Sequence, residues 1–146
     1  YGVPQSRERM IFIGVREDLG REPSHPSGWS DPVTVGAALP WCAWIGVCDA
    51  SLSRSYHAGR KRRFAQHDVA FTVSKTGAFG VTRAELVKRT AEGAIVGVET
   101  RDASRLGSFP DAFRFIGSDG WARIGNSVPP LLMRSIARHV RTLIAR

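Results

Sequence analysis

The chain has 146 residues, of which 42% are hydrophobic and 23% are charged, a composition typical of a folded globular protein rather than a disordered one. Its 21 lysines and arginines against 13 acidic residues give a net charge of +8. This excess favours an anionic partner, either nucleic acid or an anionic membrane surface, although a merely soluble basic protein would show the same balance.

Targeting signals and cysteines narrow the possible functions little further. No apolar run approaches the roughly 20 residues that span a bilayer, and the N-terminus lacks a signal-peptide pattern, so we expect a cytoplasmic protein. Cys42 and Cys48 lie outside any CxxC pair or metal-binding cluster, so we expect buried apolar residues and no metal site. Because Tyr1 opens the chain inside a motif, we expect a fragment of a longer protein.

The first third of the chain predicts a strand, a connector and a short helix. Residues 10–15, MIFIGV, form an uninterrupted apolar run typical of a buried strand. Residues 20–32 are rich in proline and glycine, which indicates an irregular connector and a candidate domain boundary. Residues 33–39 predict a short helix, with Asp31 or Thr34 as its cap.

The middle of the chain predicts short strands. Residues 41–47 are mostly apolar and suit a strand or a buried turn, and residues 70–74 suit a strand. Residues 82–88 carry a capping-box pattern and predict a helical turn. The alternative places them at the edge of a hairpin, with residues 94–100 as its other strand.

The last third of the chain predicts two helices separated by a loop. Residues 100–106 predict a short helix with a threonine cap, and residues 117–120 predict a loop. A longer helix is expected from about Pro130 to Ala145, because apolar residues recur there at helical spacing and arginines take the other face. A proline at its first position suits a helix entrance.

Three stretches carry side chains that could bind a ligand, and the first is at the N-terminus. Gln5, Arg7 and Arg9 alternate, so an extended chain would point all three to one side. There they could hold a phosphate and a base edge, or they could simply form a salt-bridged strand entrance. In the second stretch Arg101 and Arg105 are four residues apart and share one face of the predicted helix.

The third stretch is residues 125–130, GNSVPP, directly before the final helix. Gly125 permits close backbone approach and Asn126 offers donors and an acceptor, so the loop could hold a small polar ligand or be a capped turn. A separate basic run is the best candidate for contact with DNA, although each of its side chains could equally be solvated. It comprises Arg54, Arg60, Lys61, Arg62 and Arg63.

In this order the three stretches resemble the C-terminal half of the DNA (cytosine-5)-methyltransferases. YGVPQSRERMIFIG is similar to that family's motif VIII, TRDASRLGSFPDAFRF to motif IX, and IGNSVPP with the following helix to motif X. The variable stretch between motifs VIII and IX is where the family places its target recognition region. The resemblance covers nearly the whole chain, with residues 34–98 the least constrained part.

The chain also departs from the family's pattern. Asp102 stands where the family usually has glutamate, and Gly107 replaces a longer residue. The family's glycine-rich motif, its Pro-Cys nucleophile loop and its Glu-Asn-Val motif precede motif VIII and are not in this sequence. Neither Cys42 nor Cys48 matches the nucleophile, so we expect this fragment to be inactive alone.

The resemblance implies an α+β chain: the C-terminal fragment of an α/β S-adenosylmethionine-dependent methyltransferase, with a small, irregular, β-rich target recognition domain and a terminal helix. Residues 1–20 would end the catalytic domain. Residues 21–116 would form the target recognition domain including motif IX. Residues 117–146 would return the chain to the catalytic domain.

The implied reaction transfers a methyl group from S-adenosylmethionine to C5 of a cytosine flipped out of double-stranded DNA. The missing N-terminal half, in the same chain or a partner subunit, would supply the cysteine. By resemblance Arg9 would contact the target cytosine or its phosphate, Arg7 would bind backbone phosphate, and Gln5 would brace their loop.

By the same resemblance Asn126 and Val128 would line the methionine end of S-adenosylmethionine, and Gly125 would let the chain pass close to it. Arg101 and Asp102 would tie the recognition region to the catalytic domain. Two alternatives stay open: a non-catalytic DNA-binding module, or one subunit of a split methyltransferase. Whether a restriction endonuclease accompanies the protein in a restriction-modification pair is not set by the sequence.

Overall fold

The fold combines a small antiparallel sheet with short helices and a longer C-terminal helix. The computed structural model describes residues 1–28, 31–47, 63–78, 81–82 and 86–145. Among these residues, no helix is both long enough and apolar enough to cross a membrane.

The main sheet is antiparallel throughout and has the strand order β2-β1-β5-β6. A separate two-stranded hairpin pairs β3 with β4. The strands are β1 Cys42–Val47, β2 Arg63–Ala65, β3 Gly77–Ala78, β4 Val81–Thr82, β5 Leu86–Thr90 and β6 Ile95–Gly97. The helices are α1 Val35–Ala38, α2 Thr100–Leu106, α3 Gly120–Asn126 and α4 Pro130–Ile144.

The two faces of the main sheet differ in burial. Ile45 pairs with Phe64 on one side and Lys88 on the other, and this row points into the core. Trp44 pairs with Arg89, whose other neighbour is Ile95, and this row points outward. The alternation follows from the two-residue period of side chains in a strand.

The core lies between the inner face of the sheet and helices α1, α2 and α3. Its branched side chains are fully buried, and each contributes about 1.5–3 kcal/mol relative to an exposed position. The largest of them are Val35, Leu39, Ile45, Val47, Val73, Leu86, Leu106 and Ile124.

The helix caps match the predictions in part. Thr34 caps α1, where its Oγ1 accepts a hydrogen bond from the Ala37 N–H at 3.3 Å, so one of the two predicted caps is confirmed. The predicted threonine cap of α2 is wrong. Glu99 is the N-cap instead, in a capping box whose other member is Asp102.

The predicted buried strand at residues 10–15 is absent. These residues form no strand, and Met10 and Phe12 are 81% and 86% exposed. A strand requires a neighbour to satisfy its backbone groups, and no described residue pairs with this segment. Residues 70–74 likewise form no strand, apart from a single parallel bridge between Ala70 and Gln5.

Two further segments differ from what their sequence patterns favoured. At residues 82–88 the pairing of β5 with β6 selects the predicted hairpin over the predicted helical turn, although residues 83–85 lie outside the described part. The predicted loop at residues 117–120 ends in α3, a helix that the sequence patterns did not indicate and that contains Gly125 and Asn126. The terminal helix α4 begins at Pro130 as predicted.

Candidate functional site

Residues 73–75, here called the 73–75 segment, contact the first and the third of the predicted ligand-binding stretches, and Gln5 links the first stretch to the second. Gln5 is buried beside this segment, where its Oε1 accepts a hydrogen bond from the Val73 N–H at 3.0 Å. Its Nε2 donates to the carbonyl of Leu106, at the end of α2, at 2.9 Å. One amide side chain therefore joins the N-terminal stretch, the 73–75 segment and α2.

Arg7 makes a second connection, between the N-terminal stretch and α3. Its Nη1 donates to the carbonyl of Val73 at 2.9 Å, and its Nη2 donates to the carbonyl of Gly125 at 2.8 Å. Its Nε is buried without a hydrogen-bond partner among the described residues. Burial, and to a smaller degree repulsion by Arg9, lowers the pKa of Arg7.

Gly125 packs directly against the backbone of the 73–75 segment. A Cβ at this position would lie 2.3 Å from the carbonyl carbon of Ser74 and 2.4 Å from the nitrogen of Lys75. The indole Nε1 of Trp121, also in α3, donates to the Ser74 carbonyl at 3.0 Å and so stabilises the packing of α3 against this segment. Close approach to protein backbone therefore requires glycine here, a reason that the sequence did not reveal.

A cleft of about 340 Å³ lies beside this junction, between the N-terminal stretch and α4. Arg7 and Arg9 line it together with His25, Leu132 and Ile136. Arg9 is exposed, and its Nη1 donates to the carbonyl of the preceding residue at 2.6 Å. The cleft therefore combines two guanidinium groups and the carboxylate of Glu8 with apolar side chains, a lining that suits a polar ligand with an apolar part.

Asn126 and Val128 are both exposed, next to the residue that Arg7 holds. The amide of Asn126 makes no hydrogen bond to any residue in the described ranges, so its donors and acceptor are available to a ligand. The structure thus brings Gln5, Arg7 and Gly125 together, with Asn126 and Val128 at the edge of the junction.

A buried charge cluster ties α2 to the sheet, and sequence reasoning did not find it as a unit. Asp102 is 1% exposed and accepts from Lys88 Nζ at 2.6 Å, from Trp41 Nε1 at 3.2 Å and from the Glu99 N–H at 2.8 Å. These contacts hold α2 against the sheet, while the expected role of Asp102 in tying the recognition region to the catalytic domain stays a prediction. Sequence patterns do not give the register of β5, and this register turns Lys88 toward the core.

Trp41 packs between this cluster and two arginines of α2. The guanidinium carbons of Arg101 and Arg105 lie 5.3 and 4.6 Å from its ring centre, within cation–π range. Arg105 also donates to the Ala38 carbonyl at 3.1 Å and forms a two-pronged ion pair with Asp111. The second predicted stretch is therefore engaged in holding α2 against α1 and β1.

Cys42 is a buried thiol with a raised pKa, so it lacks the character of a nucleophile. Burial and, to a smaller degree, the Asp102 charge raise its pKa to about 11 from an ordinary 9.0. A thiol with this pKa carries little thiolate at neutral pH. Cys48 lies outside the described residues.

We expect Cys42 to react with iodoacetamide at pH 8 about 100-fold more slowly in the native protein than in the denatured one, because its pKa rises from 9.0 to about 11. Folding stability should also fall between pH 9 and 11, where the unfolded chain loses a proton that the folded chain keeps. Mass spectrometry of the adducts distinguishes Cys42 from Cys48. Equal rates in both states would contradict the assignment.

Most of the predicted DNA-contact run cannot be placed. Arg54, Arg60, Lys61 and Arg62 lie outside the described residues. Arg63 begins β2, and its guanidinium carbon lies 4.7 Å from the ring centre of Trp44 on the outer face of the main sheet.

Comparison with known proteins finds similarity to Type II methyltransferases. The chain is 29% identical to the Type II methyltransferase M.AplI of Arthrospira platensis over 97% of this chain and 44% of that protein. It is 29% identical to M.NgoPII of Neisseria gonorrhoeae over 100% of this chain and 53% of that protein. A shorter match, 46% identical, links 33% of this chain to 12% of M.AgeI of Thalassovita gelatinovora.

M.AplI and M.NgoPII match over nearly the whole chain, which is consistent with part of a methyltransferase. The chain spans about half the length of the curated relatives it matches, 44% and 53% in the two long alignments. No protein-family model matches the chain.

Proposed function

We propose that the chain is the C-terminal, DNA-recognition part of a DNA (cytosine-5)-methyltransferase. Its similarity to Type II methyltransferases supports a methyltransferase that acts on DNA. The observation that carries the finer proposal is the junction at the 73–75 segment. Gln5 and Arg7 there contact residues 106 and 125, so the stretches that resemble motifs VIII, IX and X meet in space.

In this proposal S-adenosylmethionine binds at the exposed edge of the junction. Asn126 and Val128 fit such a ligand, because an unengaged amide stands beside an exposed apolar side chain. The amide would orient the polar methionine end, and Val128 would cover apolar atoms. The cofactor supplies an electrophilic methyl group when bound.

Arg9 is the proposed contact to the target cytosine or its phosphate, since it is exposed and lines the cleft beside Arg7. Arg7 has its two terminal nitrogens on backbone carbonyls, which supports a positioning role for it alongside the proposed phosphate contact. Gln5 has both ends of its amide engaged and braces the same stretch.

The remaining chemistry belongs to the proposed N-terminal half, in the same chain or in a partner subunit. That half would carry the cysteine nucleophile, since the buried Cys42 with its raised pKa is unsuited to the role. The substrate would be double-stranded DNA, with the target base flipped out of the stack. We further propose a cytoplasmic enzyme of a restriction-modification pair, because the relatives carry Type II names.

The proposal is tested by the product of the reaction. The complete enzyme is incubated with duplex DNA and S-adenosylmethionine labelled in its methyl group, and the digested nucleosides are separated. We expect all of the label in 5-methylcytosine. Label in N4-methylcytosine or N6-methyladenine would contradict the cytosine-5 assignment, and DNA binding without any label transfer would favour the non-catalytic module.

A further inference from the structure

A second cleft, of about 400 Å³, lies between helix α2 and the loop that follows it, and we call it the α2 cleft. Residues of α2 line one side, and residues 111–115 of the loop line the other. None of its lining residues belongs to the cleft beside Arg7 and Arg9. Its chemistry can therefore be considered by itself.

The ionic side chains of the α2 cleft leave positive charge available to a ligand. Arg101 and Arg114 line the cleft and are exposed, and neither forms an ion pair or a hydrogen bond with any described residue. The cleft also contains the carboxylate of Asp111, whose two oxygens accept from Nε and Nη2 of Arg105. The charge of Asp111 is therefore compensated within the protein, and the charges of Arg101 and Arg114 are not.

Trp41 restricts the position of one of these arginines. The guanidinium carbon of Arg101 lies over the indole ring, 5.3 Å from its centre. The indole is itself held in place, because its Nε1 donates to the buried carboxylate of Asp102 at 3.2 Å. A cation–π contact leaves the N–H groups of a guanidinium able to donate, and it reduces the side-chain entropy lost on binding.

Two hydroxyl groups of α2 also line the α2 cleft. Ser104 is 8% exposed, yet its Oγ forms no hydrogen bond with the described part of the chain. Thr100 is four residues earlier and therefore on the same face of the helix, and its Oγ1 likewise forms none. Buried polar groups are normally hydrogen-bonded, so an acceptor bound in the cleft would complete the bonding of Ser104.

Phenylalanine rings give the α2 cleft an apolar wall. Phe113 is 51% exposed, and its ring centre lies 5.2 Å from that of Phe109 and 4.9 Å from that of Phe115. These contacts hold an exposed ring in place next to Arg114 in the chain. Guanidinium and hydroxyl donors beside an apolar wall match a phosphate attached to a sugar, which is the repeating unit of the DNA backbone.

We propose that the α2 cleft binds one backbone phosphate of the DNA, with Arg101 and Arg114 as its cationic donors and Phe113 against the adjoining sugar. Ser104 donates a hydrogen bond to the same phosphate. This inference rests on the proposed function, since DNA is the partner proposed there. It adds a contact with DNA to the stretch that holds α2 against the sheet, and the contact is independent of base sequence.

The test measures binding of the complete enzyme to a labelled duplex by fluorescence anisotropy across a series of salt concentrations. Arg101→Gln combined with Arg114→Gln should weaken binding about tenfold and reduce the slope of log K against log salt by about 1, since one phosphate contact is lost. Arg134→Gln removes an exposed arginine of α4 that does not line the cleft. This matched control should leave affinity and slope unchanged.

Three further variants separate contact from structural damage, and thermal unfolding verifies that each is folded. Arg114→Lys keeps the charge, so it should keep the salt slope of the parent. Thr100→Asp puts a carboxylate into the cleft at the first position of α2, where an acidic residue suits a helix, and it should weaken binding several-fold. Ser104→Ala removes one neutral donor and should weaken binding without changing the slope.

The outcomes distinguish this inference from the proposed function. Unchanged affinity and salt slope in the double arginine variant, in an enzyme that still forms 5-methylcytosine, would overturn the phosphate site alone. A parent enzyme that binds no duplex would overturn both. A lower unfolding temperature with an unchanged slope would mean that the arginines contact the N-terminal half, which also overturns the phosphate site.

Thymidine 5′-monophosphate distinguishes a DNA phosphate from a free nucleotide. If this nucleotide bound the parent but not Arg114→Gln, and both bound the duplex equally, the α2 cleft would be a small-molecule site and the DNA assignment would be wrong. A loss of duplex affinity that is equal on all base sequences supports the contact to the backbone.

Discussion

Gly125→Ala is expected to destabilise the protein by about 3 kcal/mol, a large effect for adding one methyl group. The new Cβ would lie within 2.5 Å of three backbone atoms of residues 74 and 75. Backbone cannot rotate away as a side chain can, so α3 or the 73–75 segment must move. Either movement also breaks the hydrogen bond from Arg7 to the Gly125 carbonyl.

Chemical denaturation of the variant and its parent measures this difference. Gly14→Ala is the matched control, because no atom lies within 4 Å of a Cβ at that position, and its stability should be nearly unchanged. If Gly125→Ala were as stable as Gly14→Ala, the close approach described at the junction would be wrong.

Removing one partner of the buried pair between Lys88 and Asp102 should cost about 3–5 kcal/mol. Lys88→Met removes the cation that pairs with the carboxylate of Asp102, which is 1% exposed. Among the described residues, the side-chain N–H of Trp41 and the backbone N–H of Glu99 then remain as its hydrogen-bond donors. Asp102→Ala leaves the buried ammonium of Lys88 with the exposed carboxylate of Glu99, at 3.7 Å, as its remaining ion pair among the described residues. It also removes one half of the capping box of α2. Both variants should unfold at lower denaturant concentration than the parent.

The double variant and a surface pair complete this experiment. Lys88→Met combined with Asp102→Ala should be less destabilised than the sum of the single changes, because the double variant leaves no buried charge without its partner. Arg123→Ala removes the exposed pair with Asp119, whose side chains are 56% and 53% exposed, and should cost less than about 1 kcal/mol. Additive single changes would show that the buried pair is not coupled.

The sequence predicted the elements whose signals are local. The periodic apolar positions of α4 and the apolar run of β1 can be recognised without reference to distant residues. Both elements are present in the structure. Residues 10–15 have the same apolar character as β1, yet they form no strand, since a strand depends on a partner as much as on its own residues. The helix α3 was missed because Gly120 and Gly125 lower its local propensity.

Tertiary packing explains why α3 forms despite those glycines. A Cβ at Gly120 would lie 2.9 Å from the Cβ of Phe115 and 3.1 Å from a methyl group of Thr100, so glycine allows this helix to pack closely. Packing of this kind overrides propensity, and no pattern within residues 117–126 shows it. The composition of these residues alone therefore predicts a loop.

Three residues of the candidate site that were selected from the sequence lie together in the structure, although their contacts were not predicted. Gln5, Arg7 and Gly125 were selected from the sequence, and the structure brings all three to the 73–75 segment. Their partners are backbone carbonyls and amides, which every residue carries and no motif marks. The pair of Lys88 and Asp102 was missed for a related reason, because the register of β5 decides which side chains face inward.

The junction also constrains the order in which the chain can fold. Gln5 and Leu106 are 101 positions apart, and Arg7 and Gly125 are 118 apart. Contacts this distant in sequence close large loops and therefore form late, after local hairpins and helices. During synthesis the N-terminal stretch can contact residues 70 and 73 first, whereas the hydrogen bond from Arg7 to the Gly125 carbonyl forms only after α3 has been made. The junction is therefore complete only when α3 packs against two segments that are already in contact with each other.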